Sequence, residues 1–345
     1  MKKVTLDDVA QRCGVTAKTV SRVVNREPHV SARVREAVEQ AIAELGYRPN
    51  TAARSLASTR SFIIGMLSPR MKSAYLNRLH GEVLSACGQR GYHLIVEQLD
   101  LTAELYMPQL QAFLSQMSLD GLVLAPGLGD VPELNTLIAE AGVRSVAISP
   151  RTTAHPLIVD ADEEQGERDL ADHLWSLGHR SFAIAQPPAF WRFTRGVAFA
   201  QRLIKLGAEP GQIMQFPFDW TVPGLEGGRR MAIDILGTGQ RPTALFAASD
   251  ELAAGAIGLF LTRGVNVPGG ISVAGFDDDD IAQACWPALT TVRQPLEAMV
   301  ENAMDLLIGD GRAQPMANIR CSVEIVSRAS TAARQPFIRS VGRAI

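Results

Sequence analysis

The chain has 345 residues, of which 46% are hydrophobic and 20% are charged, and its net charge at pH 7 is −2. This length exceeds one small domain, and the composition excludes long disordered, collagen-like or coiled-coil architectures. The charge is uneven, because residues 1–60 carry a net charge of +5 and the remaining residues carry −7. A basic N-terminal segment is typical of a surface that meets a polyanion, whereas an acidic body favours solubility.

The four cysteines are scattered, with neither a CxxC pair nor metal-ligand spacing to the histidines. Reduced thiols in a cytosolic protein are the expected state. The N-terminus turns polar and acidic too early for a signal peptide, and no apolar run is long enough to span a membrane. We therefore expect a cytoplasmic protein without a membrane partner.

The N-terminal segment contains three predicted helices with clear boundary signals. Thr5 is a good N-cap for the first helix, which ends near Gly14. After a tight turn Thr16 caps a second short helix. A third helix begins at the Ser31 cap, keeps an apolar face and stops at Gly46. The pattern predicts a helix-turn-helix unit.

The second helix carries side chains that can read DNA, because a B-DNA major groove admits one α-helix and displays base-edge donors and acceptors. Lys18 and Arg22 lie one turn apart and can both reach guanine, whereas Ala17 offers only a methyl contact. Short polar groups suited to phosphate oxygens are Thr5, Thr16, Thr19, Ser21, Asn25, His29 and Ser31. Taken singly, each is better explained as a helix cap or a solvated side chain, but their joint placement on a basic three-helix unit favours DNA binding.

Residues 47–60 follow the third helix and predict a hinge. Pro49 blocks continuation of that helix, and Asn50 can cap a very short new helix with small residues on one face. Such a helix is marginal alone and needs a partner copy, DNA or both to fold. Beside Arg54, an exposed Leu56 can wedge between base steps in the minor groove. The alternative is a plain linker with an incidental leucine.

The segments TLDDVAQRCGVTAKTVSRVVN and YRPNTAARSLA, with the helix between them, resemble the headpiece and hinge of the LacI/GalR family of bacterial transcription regulators. The resemblance implies a homodimer on double-stranded DNA. Its recognition helices would read a near-palindromic operator, while the hinge helices insert leucines at a central CpG step. The family's DNA contacts include positions that fall here on Leu6, Ala17, Lys18, Arg22, Tyr47, Asn50, Ala53, Leu56 and Ala57. The pair Ala17 and Lys18 differs from that of the family's founding member, so no operator sequence is carried over.

Beyond residue 60 the pattern changes to short apolar runs that alternate with amphipathic stretches. The runs FIIGMLS, YHLIVEQL, DGLVLAP, RSVAIS, PLIVDAD, SFAIAQ, ALFAAS and SVAGFDD predict buried parallel strands. Helices are expected between them, for example near 75–90, 103–117 and 163–178. This α/β body is long enough for two doubly wound lobes, with a ligand in the cleft outside the carboxyl ends of the strands.

The segments LGHR, ALFAASDELAAGA, VPGGISVAGFDD and LTTVRQP are similar to the family's effector domain, which has the architecture of periplasmic sugar-binding proteins. The whole chain then divides into an all-α headpiece at 1–46, a hinge at 47–60, an α/β effector domain at 61–330 and a flexible tail at 331–345. The chain is expected to cross between the lobes near 160, 291 and 317. This gives an N-lobe of 62–160 and 293–317 and a C-lobe of 161–292 and 318–330.

The expected effector contacts follow from family positions. Arg195 and Asp277 fall where the family holds effector hydroxyls or acids, and a cation beside a carboxylate can donate to and accept from one polyol. Trp220 can stack on a sugar ring, and Ser249 and Gln294 occupy further contact positions. Family position apart, the alternatives are a surface ion pair for Arg195, a loop carboxylate for Asp277 and core packing for Trp220.

Two departures from the family pattern bear on the effector. Ser249 stands where the family commonly has asparagine, which shortens the reach of that side chain. The loop SPRMKSAYLNRLHGEV lacks the family's asparagine-proline-phenylalanine cluster, so that Tyr75 takes one aromatic position and Ala74 leaves another empty. The extra space fits a second sugar unit, and we expect a sugar effector, for which an oligosaccharide or glycoside is one form. A neutral packing change is the alternative.

No GxSxG, P-loop, HExxH or GxGxxG motif occurs, and the run Asp277–Asp280 lacks the spacing of a calcium loop. We predict no enzyme activity, no cofactor and no metal. The tail has no leucine heptads for a coiled coil, so a dimer is expected. The predicted function is a repressor of carbohydrate-utilisation genes that a sugar controls. The alternatives are a solute-binding protein for carbohydrate uptake, against which the headpiece counts, and an α/β enzyme.

Overall fold

A computed structural model of the chain describes residues 4–24, 30–47, 60–71, 73–103, 105–186, 195–219, 222–309 and 316–334. The chain divides into two compact units, Met1–Phe62 and Ile63–Ile345, and each has its own core. Within the described ranges, no helix combines the length and the apolar character needed to cross a membrane.

The first unit is a bundle of three helices, α1 (Leu6–Cys13), α2 (Ala17–Val24) and α3 (Ala32–Leu45). Thr5 and Asp8 form a capping box, in which the Asp8 backbone N–H donates to Thr5 Oγ1 at 3.3 Å and the Thr5 N–H donates to Asp8 Oδ2 at 2.7 Å. Gly14 and Gly46 end α1 and α3 with φ values of 66° and 63°, which glycine adopts without strain. The three predicted helices are confirmed.

All three helices contribute side chains to the core of the headpiece. Val9, Val20 and Val38 are fully buried at its centre, one from each helix, so the apolar stripes close on one another. Tyr47, which the family resemblance placed among the DNA contacts, packs its ring into this core and keeps 7% of its surface exposed. Ser31 stands at the N-cap of α3, but its side chain makes no capping hydrogen bond.

The second unit contains two parallel sheets, of which the larger has six strands in the order β11-β5-β4-β3-β1-β2. These strands are β1 (Ile63–Pro69), β2 (His93–Leu99), β3 (Gly121–Leu124), β4 (Ser145–Ile148), β5 (Leu157–Ala161) and β11 (Ala317–Cys321). The helices packed around this sheet are α4 (Ala74–Gln89), α5 (Tyr106–Gln116), α6 (Pro132–Glu140) and α12 (Leu296–Ile308). This layer is the N-lobe.

The smaller sheet has four strands in the order β7-β6-β8-β9 and forms the C-lobe. Its strands are β6 (Phe182–Gln186), β7 (Ile213–Pro217), β8 (Ala244–Phe246) and β9 (Ser272–Ala274). Its helices are α7 (Glu163–Ser176), α8 (Val197–Lys205), α9 (Gly224–Gly237), α10 (Asp250–Thr262) and α11 (Asp280–Ala284). Phe182, Phe199, Phe246 and Phe276 pack ring against ring in the core. The predicted fold class, two doubly wound parallel lobes, is confirmed.

Two boundaries differ from the expectation. The last crossing between lobes was expected near residue 317, but residues 317–321 form β11, which pairs in parallel with β5 from Ala317 opposite Leu157 to Cys321 opposite Ala161. The crossing therefore follows Cys321. The tail was expected to be flexible from residue 331, yet the Arg334 N–H donates to the Leu177 carbonyl at 2.8 Å, so the first part of this segment is held on the C-lobe.

Four strands were absent from the sequence prediction, and all of them are short or lie at an edge. β7 and β11 are edge strands, and β10 (Thr291–Arg293) pairs only with β12 (Glu324–Val326) in a two-stranded antiparallel sheet. Polar residues interrupt the apolar ones in β7 and β11, so these strands lack the continuous apolar run by which the other strands were recognised. The alternating burial of β11 shows this pattern.

Candidate functional site

A cleft of about 840 Å³, partly open to solvent, is lined by residues of both lobes. On the N-lobe side Pro69, Pro126 and Ser149 follow or end β1, β3 and β4. On the C-lobe side Ser249 and Asp277 come soon after β8 and β9. Ligands of open parallel sheets bind outside the carboxyl ends of the strands, which is where this cleft lies.

Arg195 is the centre of a buried charged cluster in the cleft, and only 7% of its surface is exposed. Its Nη2 atom lies 2.8 Å from Glu163 Oε1 and 3.0 Å from Asp277 Oδ1. Its Nη1 atom donates to the Ala248 carbonyl at 2.8 Å, and the guanidinium lies 4.2 Å from the centre of the Phe276 ring. The ion pair that was considered for Arg195 exists, but it is buried and joins two carboxylates.

The Asp277 carboxylate is fixed by its backbone and by Gln294. Its φ of 108° is in the left-handed region, and its N–H donates to the Val292 carbonyl at 2.8 Å. Gln294 Nε2 donates to Asp277 Oδ1 at 2.6 Å. Burial raises the pKa of Asp277, and the charge of Arg195 opposes that rise. Loss of Arg195 would therefore favour the protonated form of Asp277 further.

Two buried polar atoms beside this cluster lack a hydrogen-bond partner among the described residues, namely Tyr75 Oη and Gln294 Oε1. Tyr75 is 9% exposed and lines the cleft, and burial raises the pKa of its phenol, which stays protonated. A buried polar group without a partner costs free energy. Tyr75 Oη, which lines the cleft, is therefore suited to receive a hydroxyl group of a ligand.

The run Asp277–Asp280 links the charged cluster around Arg195 to other parts of the fold. Asp278 lies 2.6 Å from Arg293 Nε of β10 and 2.7 Å from Arg328 Nη2, beside the two-stranded sheet. Asp279 lies 2.9 Å from Arg78 Nη1 of α4, and Arg78 also donates to the carbonyls of Asp277 and Asp278 at 3.0 Å each. The segment Asp277–Asp279 thus contacts the cleft, the two-stranded sheet of β10 and β12, and the N-lobe.

Ser249 lines the cleft and is also the N-cap of α10. Its hydroxyl accepts a hydrogen bond from the Leu252 N–H at 3.3 Å and caps α10. Its contact with an effector stays a prediction. Trp220 lies outside the described residues, so its stacking role stays a prediction too.

Sequence reasoning missed three acidic residues that build the cleft. Glu163 pairs with Arg195, Asp250 accepts hydrogen bonds from the Asp279 N–H at 2.7 Å and from Thr291 Oγ1 at 2.5 Å, and Glu167 supports the turn that carries Arg195. Glu163 and Asp250 open helices, where acidic residues are common because they complement the helix dipole. Because the helix dipole alone accounts for acidic residues at these positions, the sequence did not indicate that Glu163 and Asp250 contribute to the cleft.

Glu167 is a positioning residue for Arg195. Its buried carboxylate accepts the Gly196 N–H at 2.9 Å and the Phe199 N–H at 3.1 Å, at the N-terminus of α8. Gly196 has a φ of +96°, and an added Cβ there would lie 2.8 Å from Ile184 Cγ2. Only glycine fits this turn, and Glu167 holds it in place.

Glu167→Gln is expected to flatten the dependence of stability on pH. Burial raises the pKa of Glu167 to about 7. The folded state then binds this proton more tightly than the unfolded chain, so the stabilisation is complete below the unfolded pKa and is lost as the pH rises to 7. Urea unfolding at pH 5 and pH 8 is expected to show about 2 kcal/mol less loss of stability in the variant than in the wild type.

Glutamine keeps one oxygen that can accept both N–H groups, so the fold of the turn should survive in this variant. The matched control is Glu164→Gln, which changes an exposed neighbour on α7 whose partner is Arg168. Equal pH slopes in wild type and Glu167→Gln would show that Glu167 has an ordinary pKa.

In the headpiece, Lys18 and Arg22 are both exposed on α2, and Ala17 is half-buried at its start. The Thr16 hydroxyl accepts the Thr19 N–H at 3.2 Å and so caps α2. Leu6 and Ser21 are half-buried, and Ser31 is exposed. The structure thus places the two cations on one exposed helix and uses two of the threonines, Thr5 among them, as caps. Predicted contacts outside the described residues are Asn25, His29, Asn50, Ala53, Leu56 and Ala57.

Comparison with known proteins assigns both units. The family profile "Bacterial regulatory proteins, lacI family" matches residues 5–50, and "Periplasmic binding protein-like domain" matches residues 171–331. The lactose operon repressor of Escherichia coli (strain K12) is 30% identical over 339 residues, which cover 96% of this chain and 92% of the repressor.

Two solved structures resemble the chain over nearly its whole length. The lac repressor dimer bound to operator and the anti-inducer ONPF superposes with a TM-score of 0.75 at 29% identity and covers 96% of this chain and 100% of that one. The complex of the transcriptional regulator CelR with cellobiose has a TM-score of 0.67 at 26% identity and covers 95% of this chain and 100% of that one.

Proposed function

This chain belongs to the LacI family of bacterial regulatory proteins, and we propose that it is a dimeric repressor of carbohydrate-utilisation genes that a sugar in the cleft controls. The relatives it matches are transcriptional regulators, not enzymes. The observation that carries the proposal is the buried Arg195–Asp277 pair in the cleft of a chain with a helix-turn-helix unit, beside a Tyr75 hydroxyl that has no partner among the described residues.

The chemistry of the cleft favours a polyhydroxylated ligand. A sugar hydroxyl both donates and accepts, so it can satisfy the Tyr75 hydroxyl, which lines the cleft and has no hydrogen-bond partner among the described residues. Leu76 and Phe218 line the same cleft and offer apolar surface to the face of a sugar ring. CelR, which has the same overall fold, is seen in complex with cellobiose.

The headpiece is suited to the DNA that this family reads. We propose that α2 enters the major groove, with Lys18 and Arg22 toward base edges and Ala17 toward a thymine methyl. Two copies would read a near-palindromic operator, as expected from the lac repressor dimer bound to operator. The hinge residues Asn50, Ala53, Leu56 and Ala57 are proposed to reach the minor groove at a central CpG step.

Coupling between cleft and operator must be reciprocal, because both equilibria belong to one molecule. A sugar that binds one arrangement of the lobes better than the other shifts the population toward that arrangement. If the sugar weakens operator binding, the operator must weaken sugar binding by the same factor. The contacts of Arg78 with the Asp277–Asp279 segment are a direct physical link between the lobes.

The experiment that tests the proposal is a fluorescence-anisotropy titration of the full chain against a randomised palindromic DNA pool with a central CpG. It is repeated with a panel of mono- and oligosaccharides. Selection of one palindrome that a sugar then releases would support an inducible repressor. Binding only in the presence of a sugar would make that sugar a corepressor and correct the direction of control. The absence of any sequence preference under all ligands would contradict operator reading.

Arg22→Ala is expected to relax the base preference at one operator position in each half-site. A bidentate arginine–guanine contact contributes about 1–3 kcal/mol of discrimination, and alanine removes it. The measurement is the affinity of the wild type and the variant for the selected palindrome and for its single-base variants. Arg33→Ala, which removes another exposed cation from the headpiece, is the control and should leave the base preference unchanged. Uniform weakening on every DNA by Arg22→Ala would assign Arg22 to a phosphate instead.

A further inference from the structure

We infer that Glu163 is a specificity-determining residue of the cleft, and that it restricts the effector to compounds without a negative charge. The inference rests on the proposed function, because it concerns the ligand of the same cleft. It goes further by naming the residue that selects the ligand and the chemical group that is rejected, namely a carboxylate or phosphate.

Every donor of Arg195 already has an acceptor. A guanidinium has five N–H groups. Nη1 donates to the Ala248 carbonyl at 2.8 Å and to Asp277 Oδ2 at 3.3 Å, and Nη2 lies 2.8 Å from Glu163 Oε1 and 3.0 Å from Asp277 Oδ1. Nε donates to Glu163 Oε2 at 3.4 Å. Glu163 therefore occupies the Nε and Nη2 edge of the guanidinium, which would otherwise bind an acidic ligand through two parallel hydrogen bonds.

The second cation that lines the cleft is also engaged by Glu163. Arg151 Nη2 lies 3.6 Å from Glu163 Oε2, and the side chain of Glu163 is 13% exposed. The charges of Arg151 and Arg195 outweigh burial and hold the pKa of Glu163 below its usual range. Glu163 is therefore ionised at neutral pH and counters both cations.

Among the described residues that line the cleft, the remaining charged side chains are acidic, namely Asp219, Glu251, Asp277 and Asp279. Against these described residues, an acidic ligand would compete with Glu163 for Arg195 or lie against carboxylates. Like charges placed together in a partly dry site disfavour the charged form. A hydroxyl group meets no such repulsion, and the Tyr75 hydroxyl, which has no partner among the described residues, favours it.

The test compares neutral sugars with acids of the same skeleton on the full chain. The pairs are glucose with glucuronate, galactose with galacturonate and cellobiose with cellobiouronate, and binding is measured by calorimetric titration. The wild type is expected to bind the neutral member of any responding pair at least about tenfold more tightly. Glu163→Gln leaves the Nε–H of Arg195 without its acidic partner, and is expected to reduce this preference about tenfold, mainly by tighter binding of the acid.

The control is Glu164→Gln, which removes the same charge from the next residue of α7. Its side chain is 71% exposed and pairs with Arg168 at 3.3 Å, so it should keep the wild-type preference. Circular dichroism and thermal unfolding verify that both variants are folded. Equal changes in the two variants would assign the effect to net charge and overturn a specific role for Glu163.

Operator release separates this inference from the function on which it rests. If an acid binds the wild type as tightly as its neutral partner and releases the operator, the inference fails and the sugar-controlled repressor stands. If Glu163→Gln keeps the full preference for the neutral member, the inference also fails alone. If no member of the panel binds or changes operator affinity, the carbohydrate function fails and takes the inference with it.

Discussion

Arg195→Leu is expected to abolish the response to effector and to destabilise the effector domain by about 3–5 kcal/mol. The reason is that Glu163 and Asp277 share this one guanidinium, with side-chain exposures of only 13% and 4%. Removal of one partner from a buried ion pair leaves the other charge without compensation. The loss of free energy of unfolding is measured by urea denaturation at pH 7, and the loss of response by operator release.

Two further variants test whether an unpaired buried charge causes the destabilisation by Arg195→Leu. The triple variant Arg195→Leu, Glu163→Gln and Asp277→Asn removes the orphaned charges and should recover much of the stability without recovering the effector response. Arg202→Leu breaks a half-exposed pair with Asp172 on the surface of the same lobe and should cost less than about 1 kcal/mol. If Arg195→Leu lowers the free energy of unfolding no more than Arg202→Leu does, the charged cluster around Arg195 is not buried in the folded protein.

Gly255→Ala is expected to destabilise the C-lobe by about 3 kcal/mol. α9 and α10 pack so closely that a Cβ added at Gly255 would lie 2.1 Å from the carbonyl oxygen of Leu225. The facing glycine has the same constraint, since a Cβ at Gly228 would lie 2.0 Å from the carbonyl oxygen of Leu252. The obstructing atoms belong to the backbone, so no change of rotamer relieves the contact, and the helices must move apart.

Gly258→Ala is the matched control, because it lies in the same helix and its added Cβ would meet nothing within 4 Å. Alanine favours a helix over glycine by about 1 kcal/mol, so this variant should be slightly more stable than the wild type. Thermal and urea unfolding of the two variants should therefore move in opposite directions. A stable Gly255→Ala protein would mean that the two helices are farther apart than the structure places them.

The sequence predicted those elements whose cause is local. Thr5, Thr16, Gly14 and Gly46 mark the ends of the headpiece helices because caps and left-handed turns depend on residues a few positions apart. The central strands were recognised because burial on both faces requires a continuous apolar run. The edge strand β11 was missed, since half of its side chains face away from the core.

The cleft was predicted in part. The family resemblance identified Arg195, Asp277 and Tyr75, and the structure brings all three to one cleft. Whether these residues contact an effector is a matter for the experiments above. The resemblance did not indicate Glu163, and the local sequence gave no reason to separate it from Glu164, its exposed neighbour on the same helix.

By itself the sequence determined the helix-turn-helix unit and the parallel α/β body, because short-range patterns specify them, whereas the positions of the cleft residues followed from the family resemblance. Only the tertiary structure decided which charges are paired. Arg195 meets Glu163 across 32 residues of sequence and Asp277 across 82. Such pairs depend on how β6, β9 and α7 are arranged in space. Burial then makes each unshared charge costly, so the fold rather than the local sequence assigns these carboxylates their roles.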